Sequence, residues 1–128
     1  MGGFTYGAWA QLGAANATIA AAASTVFGTV DNAGKTGSEI SVQVTYDASA
    51  TQGAQIQIER DIDGTGFEGE SSAPWVINVP FTAGTTRERV VYVDGAMHGK
   101  FRVRVVNLQT ATHSLTNCNV RVKQATYA

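Results

Sequence analysis

From Ile40 to Tyr46 the chain reads Ile-Ser-Val-Gln-Val-Thr-Tyr, with apolar and polar residues in strict alternation. A run of that period fits a strand with one buried and one solvated face, and places Ile40, Val42, Val44 and Tyr46 inward. The pattern recurs. Gln55–Arg60 turns Ile56 and Ile58 inward, Phe101, Val103 and Val105 alternate with Arg102 and Arg104, and Cys118, Val120 and Val122 alternate with Asn119, Arg121 and Lys123. Val26–Val30, Trp75–Val79 and Thr86–Val93 read as three further strands, and Pro74 and Pro80 bracket the second of these, as befits a residue that cannot donate to a ladder.

Between these runs stand Asn32-Ala33-Gly34, Ala48–Gly53, Asp63-Gly64, Ala83-Gly84 and Asp94-Gly95, where glycine supplies positive φ and Asp or Asn bonds its own backbone. About seven short strands at even spacing, with no helical period, predict an all-β chain. The expected architecture is an antiparallel β-sandwich, immunoglobulin-like or jelly-roll in topology, with a closed barrel as the alternative.

No charged residue occurs before Asp31. Residues 1–24 are expected to form an uncharged, extended N-terminal arm and residues 25–128 the sandwich. The Ala-rich run Ala14–Ala23 is a good helix former by composition, but Gly13, Thr18, Ile19 and the β-prone residues after it favour an extended reading. Phe4, Tyr6, Trp9 and Leu12 punctuate the arm. As anchors, each contributes roughly 1.5–3 kcal/mol when fully buried, either on its own sandwich or on a neighbour.

The 128 residues carry a net charge of −1, which argues against a general nucleic-acid binder. The distribution is uneven: residues 31–70 hold eight acids against two bases, a net of −6, and residues 71–128 hold seven bases against two acids, a net of +5. Complementary halves suit contact between identical subunits, and Arg102, Arg104, Arg121 and Lys123 form one basic face if the last two strands share a sheet. The same split is satisfied equally well inside one molecule. A single cysteine closes no disulfide within the chain, and the first residues lack the basic and continuous apolar regions of a signal peptide, so a product made in a reducing compartment is expected.

Asp61, Asp63 and Glu68 lie within one short stretch and are candidate calcium ligands, but EF-hand spacing is absent and a charged hairpin turn at Asp63-Gly64 accounts for them. Trp75 and Tyr92 are candidate sugar-stacking residues set against the common packing role of strand aromatics. His98 and His113 lack paired metal-ligand spacing, and the parity of Cys118 points it into the core, where a thiol is unreactive. No catalytic constellation and no cofactor is expected.

The segments Gly34–Val42, Val44–Asp47, Arg60–Thr65, Ala73-Pro74-Trp75 and Phe101–Val105 resemble small β-sandwich virion proteins of tailed bacteriophages, over about residues 25–125. The resemblance implies a non-enzymatic structural role in the virion, made in the host cytoplasm. It implies a head decoration protein or a neck or tail accessory subunit. Its partners would be further copies of itself and the major capsid, neck or tail proteins, with no direct contact to nucleic acid or membrane. The family brings no catalytic residues to transfer. A carbohydrate-binding adhesion module, acting through Trp75, Tyr92 or the acidic turn, is the alternative expectation.

Overall fold

The computed structural model describes residues 4–62, 66–70, 75–95 and 99–127, apart from the side chains of Phe4, Ile62 and Tyr127. Among the described residues ten strands follow one another: β1 (Phe4–Tyr6), β2 (Ala10–Ile19), β3 (Ser24–Asp31), β4 (Gly37–Thr45), β5 (Ala54–Ile62), β6 (Gly66–Phe67), β7 (Trp75–Val79), β8 (Thr86–Asp94), β9 (Lys100–Asn107) and β10 (Leu115–Tyr127). They form two antiparallel sheets. In the first, β10 lies between β4 and a composite edge in which β2 and then β1 follow one another along it, and β4 also pairs with β8. In the second, β9 lies between β3 and β5, and the far side of β5 carries β7 and β6.

The alternating residues meet between the sheets. Ile40, Val42, Val44, Val93, Leu115 and Val120 from the first sheet face Ile56, Ile58, Phe101, Val103 and Val105 from the second, all essentially without solvent exposure. Fully burying each such side chain is worth roughly 1.5–3 kcal/mol, and this layer is the main source of stability. The strands expected from periodicity are all present. The structure adds β1, β2 and the two-residue β6, and the arrangement is a sandwich of two sheets.

The arm is extended and belongs to the first sheet. β2 turns Ile19 fully into the core and packs Leu12 and Ala17 against it. Its approach to β3 depends on glycine. Gly13 has φ +72°, and a Cβ there would stand 2.2 Å from the Phe27 carbonyl oxygen, while a Cβ on Gly28 would stand 2.7 Å from a Leu12 methyl. Side-chain amides fasten the rest. Asn119 accepts from the Asn16 N–H at 2.9 Å and donates to its side chain at 3.0 Å, and Asn107 donates to the carbonyls of Ile19, Ala20 and His113. A tight turn with Ala22 at φ 57° then leads into β3, so the expected boundary near residue 24 falls at the first residue of a strand.

Candidate functional site

Glu59 sits at the centre of the outer face of the second sheet, and none of it reaches solvent. Arg102, its partner in register across β9, donates to one carboxylate oxygen at 2.5 Å, and Arg104 donates to the other at 2.7 Å. Arg104 also reaches Ser24 Oγ at 2.9 Å and lies 3.8 Å from Glu70, while the Arg102 guanidinium lies 5.1 Å over the Phe67 ring. A buried carboxylate that accepts a charge-assisted bond on each oxygen ties β5 to β9. Beside it Gln57 is also buried, and its side-chain carbonyl oxygen has no hydrogen-bond partner among the described residues.

The four basic residues expected on one face are divided between two. Arg102 and Arg104 lie on β9 in the second sheet, and Arg121 and Lys123 lie on β10 in the first. The opposed charges of the two halves meet within the molecule through Glu59 with Arg102 and Arg104, Glu70 with Arg104, and Glu39 with Lys123 at 3.2 Å.

Asp61 lies next to the end of β5, and Glu68 is turned back onto that strand: its carboxylate accepts from the Arg60 backbone N–H at 2.8 Å and the Arg60 side chain at 3.0 Å. That bond, with the charge behind it, raises the Arg60 pKa. Asp63 lies outside the described residues, and among those described no group of three or more acids, histidines or cysteines is placed to hold a metal ion. Trp75 shares the inward side of the second sheet with its register partner Ile58 and packs against the core. Tyr92 lies on the outer side of the other sheet, so the two candidate stacking residues share no surface.

The outer face of the first sheet is different. Lys123, Glu39 and Tyr92 form one row across β10, β4 and β8. The Lys123 ammonium lies 4.9 Å from the ring centre of Tyr6 and 4.9 Å from that of Trp9. Tyr6 at 49%, Trp9 at 41%, Tyr92 at 43% and Val90 at 48% remain exposed, with Arg121 also exposed on this face. Partial desolvation, with the neighbouring Asp94, Tyr6 and Glu39, raises the Tyr92 pKa. Of the expected anchors, Tyr6 and Trp9 therefore present themselves to solvent, Leu12 is half-buried against its own core, and the Phe4 side chain lies outside the described residues.

Val90 and Glu39 escaped the sequence reading. Val90 shares the parity of Tyr92, opposite to buried Val91 and Val93, and that parity was the available signal. Burial pushes the Cys118 thiol up to about 12, consistent with a small core hydrophobe. His113 lies 3.4 Å from Asp47 at the surface, and His98 lies outside the described residues.

No family model and no curated protein matches the chain. Among solved structures it is similar to part of BuGH86 in complex with neoagarooctaose, at 12% identity and a TM-score of 0.57, over 99% of this chain and 19% of that one. A variant of BuGH86 with the same oligosaccharide gives 13% identity and a TM-score of 0.56 with the same coverage. Yersinia pseudotuberculosis-derived mitogen gives 13% identity and a TM-score of 0.39, over 98% of this chain and 85% of that one. The chain thus spans about a fifth of BuGH86, and the likeness is one of fold.

Proposed function

We propose that this chain is a non-enzymatic structural subunit that acts by surface contact, docking the outer face of its first sheet and the adjoining edge of β1 and β2 onto neighbouring subunits. The resemblance to tailed-phage virion proteins gives the setting: a head decoration protein or a neck or tail accessory protein.

The observation that carries this reading is the exposure of Tyr6, Trp9, Tyr92 and Val90 on one sheet face, with Lys123, Glu39 and Arg121 set among them. Aromatic residues and arginine are the side chains that most often dominate binding energy at protein interfaces, where a dry centre is rimmed by charges that set orientation. Ion pairs are closed within the molecule on both sheets, and it is the exposed aromatic residues that favour the first sheet as the docking side.

Sedimentation tests the proposal. The natural chain is expected to self-associate with rising concentration or to co-sediment with assembled particles, and the Trp9→Ser, Tyr92→Ser double variant to remain a folded monomer that does neither. A natural chain that stays monomeric throughout and binds an immobilised glycan saturably, with binding lost in Tyr92→Ala, would overturn assembly in favour of adhesion.

A further inference from the structure

Every sheet edge offers unpaired N–H and C=O groups to another chain, and most edges of this fold are blunted by bulges or by short strands. The register of β2 with β10 shifts twice, that of β3 with β9 shifts between Val26 and Gly28, and β1, β6 and β7 are three, two and five residues long. β8 is different. Its nine residues run in unbroken register with β4, and among the described residues no strand pairs with its other side.

The two ends of that ladder fix which groups point outward. The Tyr46 N–H donates to the Thr85 carbonyl at 2.9 Å, and the Gly95 N–H donates to the Thr36 carbonyl at 2.7 Å. Antiparallel bonding alternates along a strand, so the odd-numbered residues of β8 bond to β4, while Thr86, Glu88, Val90 and Tyr92 turn their N–H and C=O groups to the open side. Two long side chains are drawn off this edge. Arg87 donates to Thr82 Oγ1 at 2.6 Å, and Tyr92 leans over Gly37 of β4 with its hydroxyl 3.5 Å from the Thr36 carbonyl.

Charge then selects what lies against the edge. When a second β8 approaches antiparallel, about a twofold axis perpendicular to the sheet, outward-turned residues must face outward-turned residues. Full overlap sets Val90 opposite Val90, Glu88 opposite Tyr92 and Arg89 opposite Val91, so that no like charges meet. Sliding by one bonding step sets Glu88 opposite Asp94 in one direction and Arg89 opposite Arg89 in the other, and like charges directly opposed are destabilising. We propose that β8 pairs with β8 of a second copy in the fully overlapped register, which joins two first sheets into one. This inference rests on the docking reading and names one of the neighbours. Tyr92 stands opposite Glu88 in both halves of the pair, so its loss weakens this contact as well as the aromatic face.

Amide hydrogen exchange of the full chain, read residue by residue by NMR at low and at high concentration, tests the pairing. As the chain associates, the Glu88, Val90 and Tyr92 amides should slow by at least about tenfold, whereas those of Arg89 and Val91, already bonded to β4, should change far less. Val90 faces itself across the axis, so Val90→Lys and Val90→Glu should each weaken self-association by about tenfold, and an equal mixture of the two should recover most of it because opposite charges then meet. The pairing is overturned if the chain associates while the three amides stay in fast exchange, if both charge variants associate like the natural chain, or if the mixture does no better than either variant alone. In those cases docking through the aromatic face still stands. Slowing that appears only when assembled particles are added overturns it too, and marks another protein's strand as the occupant. A natural chain that is monomeric at every concentration removes the pairing and leaves the docking reading to co-sedimentation with particles.

Discussion

Replacing Glu59 by glutamine keeps the size and most of the shape of a side chain with no solvent exposure, removes its charge and turns one of its two acceptor oxygens into an NH₂ donor. The two bonds from Arg102 and Arg104 become one bond to a neutral acceptor and one contact between donors, because the new amide NH₂ must face a guanidinium N–H. Bonds to a charged group are worth about 1.5–3 kcal/mol each, and breaking a buried pair from one side costs about 3–5 kcal/mol. Arg102 and Arg104 keep 26% and 16% side-chain exposure and recover some hydration, which places the expected loss near the lower end, about 3 kcal/mol.

With a urea dependence of about 1–3 kcal/mol per molar, the unfolding midpoint should fall by roughly 1–3 M with little change in slope. Arg121→Ala on the exposed face of the other sheet is the control and should stay within about 0.5 kcal/mol. A triple variant, Glu59→Leu with Arg102→Met and Arg104→Met, should regain most of the loss, since it leaves no buried charge unpaired and the Glu70 carboxylate that loses Arg104 is half exposed to water. A Glu59→Gln midpoint indistinguishable from that of the natural chain refutes the argument that this carboxylate ties β5 to β9.

Gly13→Ala should lower stability by more than about 1 kcal/mol in the same assay and raise amide exchange across β2, because the position combines positive φ with contact against the Phe27 carbonyl. Gln57→Leu should be neutral or stabilising, since it removes a buried acceptor that has no partner among the described residues. Cys118 should resist thiol reagents until the chain unfolds. Its folded pKa of about 12 lies above the ordinary 9.0, so the folded state holds the proton longer and stability should fall as pH rises from about 9 to about 12. The slope from this thiol is at most about 1.4 kcal/mol per pH unit, and that part of it should be lost in Cys118→Ala, leaving the part due to the raised tyrosines Tyr46 and Tyr92 above about pH 10.

Alternation along Ile40–Tyr46, Gln55–Arg60 and Phe101–Val105 was enough to read the pleat, because a strand with one wet face records its own orientation. What lies on top of a face leaves no such record. Gln57 and Glu59 have outward parity and are nevertheless buried, because Arg102 and Arg104 come across from β9 and Phe67, Glu68 and Glu70 lie over the same side. The link from Lys123 to Tyr6 and Trp9 joins opposite ends of the chain and follows from the pairing of β1 and β2 with β10, which local period cannot specify. Trp75 and Tyr92 look alike as strand aromatics, and only the ladders put one against the core and the other in water.

The uncharged stretch before Asp31 has two physical parts. Core packing accounts for Leu12, Ala17 and Ile19, which face the sandwich and have no room for a charge. It does not account for Gln11, Ala14, Ala15, Asn16 and Thr18, which are exposed along a sheet edge where natural proteins ordinarily place lysine or another charge to discourage edge pairing. Some protection comes from geometry: the register with β10 shifts twice between Leu115 and Val120, and Gly13 and Asn16 take positive φ. Such irregularity blunts continuous strand addition while leaving the surface free of charge. A neutral, irregular edge beside exposed Tyr6 and Trp9 is better suited to a shaped contact with a specific neighbour than to permanent exposure. Introducing a lysine at Ala15 separates these roles. It should leave the unfolding midpoint within about 0.5 kcal/mol of the natural chain, as for an exposed substitution, and should weaken self-association or particle co-sedimentation if this edge is part of the contact. Unchanged association in a folded Ala15→Lys chain would confine docking to the aromatic face alone.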